Sequence, residues 1–149
     1  MLTKENLEAD LKNAMRSGDE VRKRTLRMVL SAVKLAEVER RGPLDEPGLF
    51  AVLQKEAKTR QEAMADAERA QRPELVEAAR AELEVVESYL PRPLSAEELE
   101  ALARQTIAEA GASALGDMGR VMKALMPKIQ GRADGKAASD LVRRLLASS

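Results

Sequence analysis

The 149-residue chain contains no cysteine and no histidine. A disulfide, a zinc site built on thiolates and a histidine general base therefore cannot form from its residues. Aromatic residues are also scarce, with one Phe, one Tyr and no Trp. Because proteins that bind single-stranded nucleic acids stack the bases on aromatic side chains, this scarcity argues against that class of binder. If the chain binds RNA, the RNA should be a folded one that is held by its backbone and shape.

Long apolar runs and targeting signals are missing as well. No stretch approaches the ~20 apolar residues that a membrane-spanning helix needs, and the N-terminus lacks the basic and apolar regions of a signal peptide. Together with the lack of cysteine, which fits a reducing compartment, these features predict a cytoplasmic protein with no membrane partner.

Motifs that carry catalytic chemistry are absent too. The sequence has neither the glycine-rich phosphate loop nor the dinucleotide-binding fingerprint, and no Ser or Lys stands in a recognisable nucleophile–base arrangement. Glutamates are frequent on the predicted fourth helix, but a metal-binding bundle pairs them with histidine, so we interpret them as a solvated acidic face. We expect no catalytic residue, no cofactor and no metal ion.

What the chain does contain is a composition typical of helices. Leu, Ala, Glu, Lys and Arg are strong helix formers and dominate the sequence, so we predict an all-α fold. Four helices are expected in residues 1–90: one that Thr3 caps, then Glu20–Arg40, Pro47–Ala70 and one that begins at Pro73. Short connections favour a bundle-like N-terminal domain. Glu56 and Arg60, four residues apart, are predicted to form an ion pair on an exposed helix surface.

A proline-rich linker separates this domain from a second one. Residues 91–93 read Pro91-Arg92-Pro93, which a helix cannot traverse. Ser95 and Glu98 then form a predicted capping box. Residues 94–149 are expected to fold as a three-helix domain, whose first helix ends at Gly111 and whose second ends at Pro127.

The last two helices are predicted to begin in the same way. Asp117-Met118-Gly119-Arg120 and Asp134-Gly135-Lys136 each combine an Asp that can cap, a Gly in the first turn and a basic residue directly after that Gly. Free N–H groups at helix starts attract anions, so two such starts could hold two phosphates. The alternative is that both Asp residues only cap and both Gly residues only allow close packing. Met118, Met122 and Met126 recur every fourth residue and are predicted to pack in the core.

Charge is distributed unevenly along the chain. The whole sequence balances 25 basic against 25 acidic residues, yet residues 116–149 hold seven basic and three acidic ones, a net charge of +4. A basic end on an otherwise acidic chain suggests a polyanionic partner, although small helical domains often expose Lys and Arg without binding one.

Three segments resemble the GatB/YqeY family. Residues 26–34 (Leu26-Arg27-Met28 to Lys34) are similar to the opening motif of YqeY proteins, and Lys55–Ala63 with Tyr89-Leu90-Pro91 is similar to their middle. Asp117–Met122, Leu125–Lys128 and Gly131–Lys136 are similar to the tail that both proteins share. GatB is the amidotransferase subunit that activates misacylated aminoacyl-tRNA, and its tail helps to hold the tRNA body.

The resemblance implies a tRNA-binding accessory module whose contacts lie in the tail. The residues that it points to are Gly119, Arg120, Lys123, Lys128, Arg132, Gly135 and Lys136, followed by Arg143 and Arg144. Amidotransferase or aminoacyl-tRNA synthetase components are possible further partners. Two alternatives stay open: a subunit of a carbon–nitrogen ligase that uses glutamine as amido donor, and a helical adaptor that binds only proteins.

Overall fold

The computed structural model describes residues 1–148 and confirms the all-α class, since this part of the chain contains helices and no strand. The chain divides into two compact units, Met1–Pro91 and Arg92–Ser149. The first unit contains four helices: α1 (Lys4–Ser17), α2 (Glu20–Arg40), α3 (Glu46–Arg69) and α4 (Pro73–Glu87). The second contains α5 (Ala96–Ala110), a 3-10 turn (Leu115–Asp117), α6 (Met118–Ile129) and α7 (Gly135–Ala147).

Local capping explains where the helices of the first unit begin and end. Thr3 and Asn6 form a capping box at the start of α1, and Gly18 ends that helix with a φ of +75°. Glycine adopts this left-handed backbone conformation without strain, which is why it commonly follows the last residue of a helix. Asp19 then caps α2 by accepting a hydrogen bond from the Arg22 N–H. Two consecutive residues, Gly18 and Asp19, thus encode the turn between α1 and α2.

The core of the first unit is formed by one apolar face of each of its helices. The spacing of three and four residues along α2 and α3 brings their apolar side chains to one side. The buried residues are Leu7, Leu26, Val29, Val33, Leu49, Leu53, Ala57 and Val86. This burial, rather than helix propensity alone, stabilises the unit.

Arg60 on α3 is buried, so the prediction that it lies on an exposed helix surface is wrong. Only 5% of its side chain is accessible, and its Nη atoms reach Glu56 Oε1 at 3.0 Å and Glu82 Oε1 at 3.4 Å. Arg24 on α2 lies 3.6 Å from the other oxygen of Glu82. Glu82 therefore belongs to an ion-pair cluster that joins α2, α3 and α4, and not to the solvated acidic face predicted for α4.

Tyr89, in the segment after α4, ties the end of the first unit to its beginning. Its hydroxyl donates a 2.5 Å hydrogen bond to Asp10 Oδ2 and accepts one of 2.9 Å from Arg22 Nη2. The Arg22 guanidinium also lies 5.6 Å from the ring centroid, within cation–π range. Burial and the bond to Asp10 raise the pKa of Tyr89 to about 12.

The titration of Tyr89 gives a direct test of this contact. A raised folded-state pKa means that the bond's contribution to stability is complete below pH 10 and is lost as pH rises from about 10 to 12. Tyr89 is the only Tyr and the chain has no Trp, so phenolate absorbance follows this group alone. We expect a midpoint near 12 in the native protein and a lower one in Asp10→Asn. Titration of the native protein at the pKa of free tyrosine would contradict the contact.

The second unit has a core of its own. Val121, Leu125 and Ile129 of α6 pack against Ala138, Leu141, Val142, Leu145 and Leu146 of α7, and Ala103 of α5 completes the cluster. In both α6 and α7 these residues recur at intervals of three or four, so each helix keeps one face for solvent. That outer face carries most of the basic residues singled out in the sequence.

Candidate nucleic-acid interface

The start of the second unit is fixed by hydrogen bonds. Ser95 and Glu98 form the expected capping box at the start of α5. Arg92 donates to both oxygens of Glu98, at 3.0 and 2.9 Å, and this pairing lowers the pKa of Glu98 to about 2. The Leu94 N–H donates to the Arg132 carbonyl at 2.8 Å. The loop before α7 is thereby held against the segment before α5.

The start of α6 differs from the prediction that Asp117 caps it. The helix is entered through the 3-10 turn Leu115–Asp117, and Asp117 makes no side-chain capping bond to it. Its Oδ2 instead accepts from the Ser113 N–H at 3.0 Å and from the Ala114 N–H at 3.3 Å. These bonds, together with Arg120, lower the pKa of Asp117. A negative charge covers this helix start, which makes it a poor anion site.

The end of α6 is also later than predicted. Pro127 lies inside the helix, which continues to Ile129. Proline removes one backbone hydrogen bond, but Leu125 and Ile129 are both fully buried, and their packing holds the last turn in place. Gly131 then reverses the chain with a φ of +77°, a conformation that glycine adopts without strain.

The start of α7 matches the predicted pattern. Asp134 Oδ2 accepts from the Ala137 N–H at 3.2 Å and so caps the helix. Gly135 and Lys136 are the first two helical residues, whose N–H groups have no acceptor within the helix. A Cβ at Gly135 would meet Met126 Cε at 3.4 Å, an ordinary contact distance. Gly135 thus places the start of α7 directly against α6.

Three of the predicted RNA-binding cations are engaged within the unit. Arg120 pairs with Asp117 at 3.0 Å and also donates to the Ala110 carbonyl. Lys128 lies 3.3 Å from Glu109 of α5 and lowers the pKa of that carboxyl. Arg132 donates through Nε to the Arg92 carbonyl at 2.9 Å. These side chains connect segments of the unit, and their cationic ends are only partly available to a ligand.

Lys123 and Lys136 differ from these three residues. Both are exposed, and no ion pair within residues 1–148 involves either of them. Arg144 is exposed and unpaired in the same part of the chain, whereas Arg143 lies 3.5 Å from Asp140. Lys123 and Lys136 are therefore the cations on α6 and in the first turn of α7 whose charge is not neutralised by a neighbour.

Helical spacing brings these two lysines toward one surface. Gly119, Lys123 and Met126 are separated by four and three residues, so they follow one face of α6. A Cβ at Gly135, the residue before Lys136, would lie 3.4 Å from Met126 Cε, so the start of α7 lies beside this face of α6. We call Gly119, Lys123, Met126, Gly135 and Lys136 the α6–α7 face. A Cβ at Gly119 would meet nothing within 4 Å, so this glycine is not needed for packing, contrary to the alternative raised for both glycines.

Met126 belongs to this face, so the prediction that it packs in the core is wrong. Met118 and Met122 do pack against the core of the second unit, but 38% of Met126 is exposed. A helix turns about 100° per residue, so a spacing of four drifts by about 40° each time. The third methionine is therefore rotated out of the buried stripe, a shift that a helical projection of the sequence could have revealed.

The chemistry available on the α6–α7 face is electrostatic. The two lysine ammonium groups favour an anion, and the surface beside Gly119 is open to it. The start of α7 itself is occupied by the Asp134 carboxylate, which caps the Ala137 N–H. Within the described residues, no group of three or more acidic side chains could hold a metal ion. None of the helices described is both long and apolar enough to cross a membrane.

Comparisons with known proteins agree with the sequence resemblance. Three similar proteins are each named Altered inheritance of mitochondria protein 41, mitochondrial. The Lachancea thermotolerans protein is 36% identical over 57% of this chain and 46% of its own length. The Pyrenophora tritici-repentis protein is 33% identical over 85% of this chain and 71% of its own length. The Kluyveromyces lactis protein is 37% identical over 56% of this chain and 45% of its own length. The chain thus spans less than half of two of these relatives.

A family model supplies the broader assignment. The model described as Yqey-like protein matches residues 4–146 and so covers both units. The match includes α1 through most of α7 and every residue of the α6–α7 face. The protein belongs to the YqeY-like family.

Proposed function

We propose that the protein is a tRNA-binding accessory module and that the α6–α7 face contacts the sugar–phosphate backbone. The observation that carries this proposal is the pair of exposed lysines, Lys123 and Lys136, which form no ion pair within residues 1–148. Phosphate contacts by lysine and by helix N-terminal N–H groups are common in nucleic-acid interfaces. The resemblance of this tail to that of GatB supports tRNA as the RNA in this proposal.

The seven candidate residues take different roles in this proposal. Lys123 and Lys136 contact phosphates directly. Gly119 leaves the surface beside α6 open, and Gly135 lets α7 begin close to Met126 of α6. Arg120 and Lys128 keep part of their charge accessible, since 57% and 37% of their side chains are exposed, and they add to the local positive potential. Arg132 acts as a positioning residue because its bond to the Arg92 carbonyl holds the loop before α7.

A filter-binding titration with bulk tRNA tests the proposal. We expect the Lys123→Ala/Lys136→Ala variant to bind at least about tenfold more weakly than the wild type, because two phosphate contacts are lost. Arg104→Ala is the matched control: it removes an exposed cation from α5 of the same unit, where Arg104 pairs with Glu100 at 3.6 Å. Its affinity should stay within about twofold of the wild type.

The two alternative functions predict other results in the same preparation. A carbon–nitrogen ligase subunit would support amide formation on aminoacyl-tRNA from glutamine when amidotransferase components are added. A protein-binding adaptor would show no salt-dependent tRNA affinity, and a protein partner would stay bound after nuclease treatment. Equal tRNA affinity of the double variant and the wild type would contradict the proposed role of Lys123 and Lys136.

The cellular location belongs to this proposal as well. The relatives reported above carry mitochondrial names, whereas the sequence predicts a cytoplasmic protein. tRNA is present in both compartments, so the proposed activity fits either location. Imaging of the tagged full-length protein in its own host would test the cytoplasmic prediction.

A further inference from the structure

A second surface, on α2 of the first unit, has features of a docking site. Met28, Leu35 and Val38 are exposed to 48%, 61% and 66%. With Arg24 and Ser31 they follow spacings of four, three, four and three residues, which is the seam that one helix presents to another. We call these five residues the α2 stripe. The core residues Leu26, Val29 and Val33 lie on the other side of α2. At the N-terminal end of the stripe, Arg24 pairs with Glu82 of α4 and Met28 contacts Arg60 of α3, so the free part of the stripe is the one with Leu35 and Val38.

The charges along one flank of the stripe have a single sign. Arg27 and Lys34 each directly precede a stripe residue, which places them at the edge where paired helices exchange ion pairs. Both are exposed, and neither forms an ion pair within residues 1–148. Glu37 lies nearby, but it pairs with Lys4 at 2.9 Å. An acidic partner would therefore find two unneutralised cations beside an apolar row.

The surroundings of the stripe leave room for such a partner. A shallow groove between α1 and α2 opens beside Lys34 and Val38 and is also lined by Lys4, Glu8 and Leu30. From Arg24 to Val38 the stripe is about 21 Å long at 1.5 Å per residue, which is about four turns of a bound helix. Exposed apolar side chains grouped in this way commonly mark protein interaction sites.

We propose that the α2 stripe docks an amphipathic helix of a partner protein whose apolar residues are flanked by Asp and Glu. A helix of that kind would cover Met28, Leu35 and Val38 and pair its carboxylates with Arg27 and Lys34, the helix-in-groove mode of recognition. RNA fits the surface less well because it would leave the three apolar side chains against a phosphate backbone. A second copy of this chain in antiparallel pairing would set Arg27 and Lys34 against like charges.

Binding of two designed helical peptides to the full-length protein tests this inference. Both have Leu at alternating intervals of three and four; one has Glu on its flanks and the other has Lys. Fluorescence anisotropy should show that the Glu peptide binds at least about tenfold more tightly than the Lys peptide. Leu35→Glu should weaken binding of the Glu peptide at least about tenfold, and Lys34→Glu should weaken it severalfold.

Two control variants distinguish a loss of docking at the α2 stripe from general effects of introducing a glutamate. Leu75→Glu makes the same change at an exposed leucine of α4, and Lys55→Glu makes the same charge reversal on the side of α3 opposite its buried residues. Both should bind the Glu peptide as the wild type does. Circular dichroism should show unchanged helicity for all four variants, since every substituted side chain is exposed.

Three results would overturn the inference. The first is equal binding of the two peptides, or no binding of either. The second is a loss of tRNA affinity in Leu35→Glu, which would make the stripe an RNA surface. The third is a dimer in sedimentation velocity that Leu35→Glu abolishes, which would make a second copy the partner. None of these results depends on Lys123 or Lys136, so the two proposals can fail separately.

Discussion

Replacing Arg60 with alanine is expected to lower the free energy of unfolding by about 3 kcal/mol. The guanidinium is buried between Glu56 and Glu82, and the side chains of those two glutamates are each only 18% exposed. Removing the cation leaves two partly buried carboxylates close together. Within residues 1–148, the cation that still pairs with either of them is Arg24, 3.6 Å from Glu82. The lower free energy of unfolding results from these uncompensated charges and not from the loss of one attractive contact.

Two further variants test whether the uncompensated carboxylates cause the loss of stability. Arg69→Ala removes an exposed arginine of the same helix that pairs with Asp66, and it should cost less than about 0.5 kcal/mol. The triple variant Arg60→Met/Glu56→Gln/Glu82→Gln should regain most of the stability that Arg60→Met alone loses, because uncharged buried groups need no counterion. Urea denaturation gives all of these values. Equal losses for Arg60→Ala and Arg69→Ala would contradict the buried cluster.

Leu125→Ala is expected to destabilise the second unit by about 3 kcal/mol. Leu125 is fully buried on α6 among Val121, Ile129 and the apolar residues of α7. The substitution leaves a cavity among the nine buried residues of this cluster, and the surrounding side chains relax only partly into such a cavity. Amide hydrogen exchange should accelerate in α5, α6 and α7, which share this core.

Leu115→Ala is the matched control for this prediction. It makes the same chemical change in the 3-10 turn before α6, where the side chain is 52% exposed. We expect a loss below about 1 kcal/mol and little change in exchange within α7. Similar exchange rates in the two variants would mean that Leu125 does not hold the three helices together.

Much of the fold could be predicted because its signals are local. Thr3, Gly18 and Ser95 each act on backbone groups within a few residues, so their roles in capping can be identified from neighbours in the sequence. The apolar spacing of α2 and α7 likewise needs no tertiary information. The sequence therefore predicts the number of helices and most of their ends, with α6 as the exception.

The exceptions arise where a distant group decides the outcome. Arg60 and Glu56 have the spacing of an exposed pair, but Glu82 and Met28, both distant in sequence, enclose Arg60 on its other sides. Asp117 turns back to Ser113 and Ala114 because the chain enters α6 through a 3-10 turn. Neither partner set can be identified from helical periodicity.

The candidate site also combines features that the sequence predicts with features that depend on contacts between distant residues. The sequence predicts its seven residues as one group, and nothing in the sequence distinguishes the cations among them. The structure pairs Arg120 with Asp117, Lys128 with Glu109 and Arg132 with the Arg92 carbonyl. Lys123 and Lys136 lack such partners within residues 1–148, and this difference selects them for the first test.

The salt dependence of tRNA affinity tests the central proposal most directly. Each phosphate contact contributes about 0.7–0.9 to the slope of log affinity against log salt. Titrations at several salt concentrations should therefore give a slope for Lys123→Ala/Lys136→Ala that is shallower than the wild-type slope by about 1.4–1.8, while Arg104→Ala keeps the wild-type slope. Identical slopes for the wild type and the double variant would contradict phosphate binding by the α6–α7 face.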